Sequence, residues 1–405
     1  MNRALALLVF SALSVAAAAQ AAAAPVSGWR IVGGMSEGYD SNVLLSSAQA
    51  AGDTTTALDL DFSRVWAGPR WSFSADYTPQ GVSFAQHPAL DYIAQAYRQQ
   101  WTYALGPETE LSWNTGLMHY PQRAGAPALA GTGVSGVAAA SMASALAAIQ
   151  TGATSDISLR HQTSPRSSFS IGGSGSWRQF TSDAAVARTF EAGQEAMLGE
   201  NESAGVSAGW DYQLTPRRAL GLISSTSAFW LAGALASRRY SNAEVTISEQ
   251  ISPALSLRAG AGPSWTFGQE GAGTGYAAEA SLADERGATR LALEWSHALE
   301  PSFVPGGLTT DLMALEVEQD WSAAWRGSAS WGLSRLGGFN TATASARAAT
   351  AAQFLAGGLS YTAGAWRLSL NSGWDRQDLY SLAGLAPLRR LQLSAGVSYS
   401  LPQPH

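Results

Sequence analysis

The chain has 405 residues, a formal net charge of −6 at pH 7 and no cysteine. Without cysteine it can have no lipoprotein anchor, disulfide scaffold, thiolate metal site or cysteine nucleophile, and the negative charge offers no basic surface for nucleic acid. Only 13% of the residues are charged, against roughly 25% in an average soluble domain. Apolar residues are balanced by glycine, serine and threonine, which is typical of a wall with one apolar and one hydrated face.

The amino terminus has the pattern of a secretory signal peptide. Arg3 is followed by an apolar run over 4–18 and by an alanine-rich tract that ends at Ala24, as in such signals. The apolar run is too short to cross a bilayer, and no later segment reaches the roughly 18 to 20 apolar residues that a spanning helix needs. The sequence therefore predicts a signal peptide at 1–24, export from the cytoplasm, and a single domain at 25–405.

Alternation of apolar and polar residues with a period of two runs through the mature chain. In 391–399, for example, Leu, Leu, Ala, Val and Tyr alternate with Gln, Ser, Gly and Ser. Such alternation indicates strands with one apolar and one polar face. It is clear at 71–77, 204–212, 255–267, 366–374 and 391–399, and weaker at 28–38, 241–251 and 275–283.

Short turns and longer connections alternate along the chain. Most of the short turns carry proline or glycine, which preset turn geometry. They lie at 67–70, 106–108, 163–166, 214–217, 251–254, 284–288, 322–324 and 362–365. Short periplasmic turns and longer outer loops are typical of a barrel threaded through the outer membrane. The predicted fold is all-β, a transmembrane antiparallel up-and-down β-barrel of about 18 strands (16–18), with both termini in the periplasm.

Aromatic residues near the predicted strand ends indicate where the membrane begins and ends. Trp366 and Trp374 lie at opposite ends of one strand face, and Trp66 and Trp71 flank a short turn. Aromatic girdles mark both bilayer interfaces of such barrels, whereas a soluble β-sandwich would bury its aromatics against a second sheet. The predicted interface aromatics are Trp66, Trp71, Tyr77, Trp265, Trp366, Trp374 and Tyr399.

Two of the longer connections contain helix-like segments. Residues 136–150 are rich in alanine, and 182–198 has Asp183 near its start and Gly199 just after its end, which are common helix start and stop signals. Both are expected to be helical insertions in extracellular loops. The alternative is that one of them folds inward as a constriction or plug, with 136–150 as the candidate.

The polar face of the strands is expected to line the lumen, which in a barrel of this size is too wide for side chains to fill and holds water. Charged groups there could select among solutes. The alternative for each is a hydrated wall with cross-strand ion pairs. The candidates are Asp59, Asp61, Asp76, Arg98, Asn114, Arg160, Asp211, Arg258, Glu294, Glu316, Glu318, Arg367, Asp375 and Arg390.

Few residues suggest chemistry beyond transport. Glu316, Glu318 and Asp320 form the densest acidic cluster on one predicted face; they could hold a cation, or they could simply stay hydrated. No metal or other cofactor is predicted. A hydrolase would need a nucleophile beside a histidine, but Ser296 and His297 are adjacent on a strand and point to opposite faces. The sequence therefore predicts that the protein is not an enzyme.

The opening of the mature chain resembles a family of β-barrel porins. The segments GWRIVGGMSEGYDSNVLLSS and GDTTTALDLDFSRVWAGPRWSFSADYTPQGVSF are similar to the first strands of porins encoded beside exopolysaccharide gene clusters, including the PEP-CTERM-associated type. Length and strand count also resemble the barrels that myxobacteria pair with a short periplasmic polysaccharide-export protein. The resemblance implies a polysaccharide cargo and such a periplasmic partner. The chain departs from the usual pattern at its end, where Tyr399 is followed by SLPQPH instead of closing the last strand as a terminal aromatic.

Three functions remain open from the sequence. The first is an outer-membrane channel that exports a secreted polysaccharide, and the alternative is a general or substrate-selective diffusion porin. The third, ranked behind both channel functions, is an outer-membrane lipid hydrolase. All three place the mature protein in the outer membrane of a Gram-negative-type cell, inserted by the barrel-assembly machinery and surrounded by outer-membrane lipid.

Overall fold

The computed structural model describes residues 28–43, 50–121, 148–182, 201–231, 237–268, 271–300, 308–338, 350–379 and 387–401. The predicted signal peptide at 1–24 lies outside these residues, as do 136–147 and 183–198 of the predicted helices. The described ends of those two segments are strand instead of helix, because one strand begins at Ala148 and another ends at Ser182. These two residues are paired with each other, so their backbone groups bond across a ladder and not along a helix.

Strands make up nearly all of the described chain. A single 3-10 turn, Pro88–Leu90, lies between two of them. No helix in the described residues is long and apolar enough to cross a membrane. The strands are β1 (Gly28–Asp40), β2 (Asp53–Ala67), β3 (Trp71–Phe84), β4 (Tyr92–Gly106), β5 (Thr109–Pro121), β6 (Ala148–Ser164), β7 (Ser167–Ser182), β8 (Asn201–Thr215), β9 (Arg218–Leu231), β10 (Ser237–Gln250), β11 (Leu255–Gly268), β12 (Gly271–Arg286), β13 (Thr289–Glu300), β14 (Leu308–Asp320), β15 (Trp325–Gly338), β16 (Thr350–Ala363), β17 (Trp366–Leu379) and β18 (Leu388–Ser400).

The 18 strands form one closed sheet. Each strand pairs antiparallel with the next, and β1 pairs with β18 as well as with β2. The seam between the first and last strands runs from Val32 opposite Ser400 to Asp40 opposite Gln392. Closure leaves no free edge. The predicted antiparallel barrel of 18 strands is confirmed, and the three segments with weak alternation are strands too, within β1, β10 and β12.

The short turns lie where the sequence predicts them, all at the same end of the barrel, the turn end. In two of them glycine has a positive φ, 60° at Gly287 and 62° at Gly364, a conformation that other residues adopt with difficulty. At the opposite end, which we call the loop end, the prediction of longer connections is wrong for one pair of strands. Residues 269–270 alone join β11 to β12. Gly268 and Gly271 face each other there, and the absence of side chains permits so short a connection.

The pairings divide the side chains into two sets, because residues opposite each other in a ladder share a face. One face carries every buried side chain of the described strands, for example Phe84, Glu244 and Leu312. The other carries the exposed apolar side chains, such as Leu58 and Val206. Since side chains crowd together on the concave side of a closed sheet, the first set forms the inner face and the second the outer face.

The outer face also holds the tryptophans. The chain has 15; Trp321 lies in a turn, and all the others lie in strands with their side chains on this face. Every predicted interface aromatic shares it. Near the short turns the rings pack in pairs, with centroids 4.7 Å apart for Trp366 and Tyr399 and 4.8 Å apart for Trp325 and Tyr361. Such rings suit the boundary between lipid and water.

Gly262 marks a close approach of two strands. A Cβ on this inner-face residue of β11 would overlap the backbone carbonyl of Ala243 in β10. We therefore expect Gly262→Ala to lower the free energy of unfolding by about 1–3 kcal/mol, measured by urea unfolding in lipid vesicles. Gly81→Ala is the control, since a Cβ there meets no atom within 4 Å. Equal losses in the two variants would contradict the close approach.

Candidate functional site

The inner face holds every residue that the sequence predicts to line the lumen. Asp76 stands opposite Arg98 in the ladder of β3 and β4, and Asn114 stands opposite Asp156 in that of β5 and β6. The same pairings, followed round the barrel, place on this face Asp59, Asp61, Arg160, Asp211, Arg258, Glu294, Glu316, Glu318, Arg367, Asp375 and Arg390. Their contact with a passing solute stays a prediction.

On β1–β4 the inner charges away from the loop end nearly balance, with two arginines beside three carboxylates. Nη2 of Arg30 lies 2.7 Å from Oδ2 of Asp61. Asp76 has Arg98 directly across the ladder. Asp59 accepts a hydrogen bond of 2.5 Å from a glutamine side chain of β3. We call these five residues the paired wall.

On β10–β14 the inner charges do not balance. The acidic wall consists of Glu244, Glu279, Glu294 and Glu316. The nearby cation Arg258 places its Nε 2.8 Å from Oε1 of Glu279. Within the described residues, Glu244, Glu294 and Glu316 have no cation within ion-pair distance. The acidic wall faces the paired wall across the lumen, since β12 is nine strands from β3 round the ring.

Small side chains separate the two charged walls. The inner positions of β7–β9 are mostly serine, glycine and alanine, and so are those of β15 and β16. Some of these serines hydrogen-bond to each other across neighbouring strands, as Oγ of Ser176 and Oγ of Ser203 do at 2.8 Å. Such residues take up little of the lumen and leave it polar.

The predicted acidic cluster is divided by its neighbours. Nη1 of Arg290 lies 3.2 Å from Oε2 of Glu318, and Nε of Arg326 lies 2.6 Å from Oδ1 of Asp320. Glu316 alone of the three has no cation beside it in the described part of the chain. No group of three or more His, Asp or Glu side chains among the described residues is arranged to hold a metal ion. Glu318 and Asp320 are therefore each ion-paired to an arginine of a neighbouring strand.

At the loop end, two connections fold over the inner face. Val43, in the connection from β1 to β2, and Leu90, between β3 and β4, pack against Val82 and Phe84 of β3. Val82 and Phe84 are inner-face residues, and all four side chains are buried. We call these four residues the mouth cluster. Because it covers part of the inner face, the mouth cluster narrows the entrance to the lumen on that side.

A buried carboxylate ties the two connections together. The side chain of Asp53 is 0% exposed. Its oxygens accept hydrogen bonds from the backbone N–H groups of Thr54 at 2.8 Å, Gln86 at 3.0 Å and His87 at 2.9 Å, and Nδ1 of His87 lies 2.9 Å away. Asp53 thus joins the start of β2 to the segment that carries Leu90.

A second buried group closes the seam near the same mouth. Arg390 of β18 donates from Nε to Oδ2 of Asp40 in β1 at 2.8 Å, and its Nη2 bonds to the same oxygen. The side chains are 4% and 5% exposed. Gln392 and the backbone N–H of Asn42 also donate to Asp40, at 3.2 and 2.9 Å.

His297 lies on the outer face, away from Ser296. Its Nδ1 is 2.6 Å from Oδ1 of Asp311, and its ring stacks on Tyr276 with centroids 4.2 Å apart. Ser296 points to the inner face. The geometry therefore gives no pairing of Ser296 with His297 for nucleophilic catalysis.

Comparison with known proteins gives structural likeness only. No protein family matches the chain by sequence, and no curated protein does. Among solved structures, the chain is similar to OccK2 (OpdF) of Pseudomonas aeruginosa in complex with glucuronate, with 13% identity, TM-score 0.48, and coverage of 93% of this chain and 98% of that one. It is also similar to OpdO of the same species (12%, 0.46, 92% and 97%) and to OccAB2 of Acinetobacter baumannii (13%, 0.46, 92% and 98%). At such identity the likeness says nothing of what this chain transports.

Proposed function

We propose that the protein is an outer-membrane channel through which small polar solutes diffuse passively. The observation that carries the proposal is the division of the closed sheet, with most of the charged and small polar side chains inside and the exposed apolar side chains and tryptophans outside. A closed barrel satisfies its backbone hydrogen bonds internally, which is what a spanning structure needs in lipid. A barrel of this strand number encloses a space wide enough for water.

Export of a polysaccharide is the competing proposal, and the inner face supports it less. Sugar rings bind well by stacking on exposed aromatic rings, since these present an apolar face. The described inner aromatics include Phe229, Tyr240 and Phe354, all buried, and Phe84 and Tyr92 at the mouth cluster. Exposed rings of the described strands point outward instead. A periplasmic export partner and a polymer cargo remain predictions from the resemblance.

Single-channel recording tests the proposed function. Purified protein, added to a planar lipid bilayer, should produce discrete conductance steps that rise in proportion to salt concentration, as expected for a water-filled pore. Correctly folded protein that inserts and yields no steps would contradict the proposal.

Cells lacking the protein separate diffusion from export. Diffusion predicts slower uptake of small polar solutes with normal surface polysaccharide, assayed by dye binding and sugar analysis. Loss of surface polysaccharide with unchanged uptake would favour export and refute the diffusion channel.

A further inference from the structure

We propose that the acidic wall binds small organic cations, that is, solutes that carry ammonium or guanidinium groups. The channel therefore admits such cations in preference to anions. This inference rests on the proposed function and specifies the class of solute. Its starting point is the imbalance between the two charged walls. The paired wall has two arginines, Arg30 and Arg98, beside three carboxylates, whereas the acidic wall has one arginine beside four carboxylates.

Three of the four carboxylates form a belt across the neighbouring strands β12, β13 and β14, and Glu244 lies beyond β11 on β10. Glu279 stands opposite Gly260 and Ser296, and Glu294 stands opposite Ser281 and Ala314. Glu316 follows in β14, opposite Ala292. The partners in these ladders are small, so no bulky side chain lies directly across from the carboxylates. A cation that meets this belt could contact more than one carboxylate.

Glu244 gives a second, independent indication of a missing partner. Glu244 is 9% exposed, and its Oε1 has no hydrogen-bond partner within the described structure. The carboxylate lies over Gly260, where a Cβ would overlap Oε1. A buried acceptor without a donor is costly. An ammonium or guanidinium group bound at the belt would satisfy it once the Glu244 side chain turns toward the lumen.

Coulomb attraction across such a wall is strong enough to select by charge. Screening in 0.1 M salt acts over about 10 Å, so a solute touching the belt still experiences its field. Rings of Asp and Glu produce cation preference in other pores. Donation to two carboxylates suits a guanidinium, whose planar fork offers several N–H groups.

The test uses bilayer recordings with spermidine as the probe cation. In a potassium chloride gradient the natural channel should prefer potassium to chloride, and spermidine should block the current. The variant Glu294→Gln with Glu316→Gln should lower the potassium preference by about twofold or more and weaken the block by a similar factor. Glu294→Gln alone replaces the double variant if the latter does not fold.

The matched control removes the same charge from the opposite side of the lumen. Asp59→Asn with Asp61→Asn changes the paired wall and should leave the spermidine block at its natural strength. If the channel conducts but the spermidine block weakens equally in the two double variants, the cation site is overturned. A conducting channel that prefers chloride to potassium would overturn it as well. Absence of any conductance in the natural protein would instead overturn the proposed function, and the inference with it.

Discussion

Replacing Asp40 with alanine is expected to lower the free energy of unfolding by about 3–5 kcal/mol. The change removes the Asp40 carboxylate that the guanidinium of Arg390, 4% exposed, bonds through Nε and Nη2, and losing one member of a buried ion pair is strongly destabilising. The pair also spans the seam between β1 and β18, so its loss weakens the contact that closes the barrel. Urea unfolding in lipid vesicles, followed by tryptophan fluorescence, measures the effect.

The control is the exposed pair of the paired wall. Arg30 and Asp61 are 52% and 32% exposed, and water screens such a pair, so Asp61→Ala should cost at most about 1 kcal/mol. Both acidic residues belong to the region around β1, and both are replaced by the same residue. If the two variants lose similar free energies of unfolding, burial of the Asp40–Arg390 pair does not make it more stabilising than an exposed pair.

Replacing Asp53 with alanine is expected to loosen the mouth of the barrel. The carboxylate accepts three backbone N–H bonds and contacts Nδ1 of His87, and each hydrogen bond to a charged group contributes about 1.5–3 kcal/mol. Their loss should release Leu90 and Val43 from the mouth cluster and uncover the inner face beside them. The expected results are a larger single-channel conductance and entry of larger neutral polymers, measured by polymer exclusion.

Glu37→Ala is the control for the mouth. Its carboxylate accepts a hydrogen bond from Oγ1 of Thr56 at 2.9 Å on the outer face, so its removal should leave the conductance unchanged. If the Asp53→Ala variant has the same conductance as the natural protein, the connections that carry Val43 and Leu90 do not narrow the entrance.

Strands and short turns could be predicted because their signals are local. A period of two needs only neighbouring residues, as in 391–399, and proline or glycine marks most of the short turns almost unaided. The same period separates the two faces of each strand, since alternate residues point to alternate sides. The assignment of Arg258 and Glu294 to one face follows from this rule alone.

The mouth cluster and the acidic wall could not be predicted in this way. Val43 meets Phe84 because two separate connections fold toward one point, and no local pattern encodes that meeting. The sequence pointed instead to 136–150 as the inward segment, most of which lies outside the described residues.

The belt of carboxylates depends on the register of five strands, since Glu244 and Glu279 become neighbours only through β11. The adjacent acids of one strand, Glu316 and Glu318, were the visible signal, and Glu318 is neutralised by Arg290.

Labelling of single cysteines tests the central claim, that this chain has a water-filled interior surrounded by lipid. The natural sequence has no cysteine, so each introduced thiol is the only one. In vesicles, a water-soluble maleimide should react with Asn371→Cys and Ser394→Cys on the inner face. It should react far less with Leu370→Cys and Leu393→Cys on the outer face, although these leucines are 56% and 46% exposed in the protein alone. Equal labelling of inner and outer positions, or preferential labelling of the outer ones, would contradict the account.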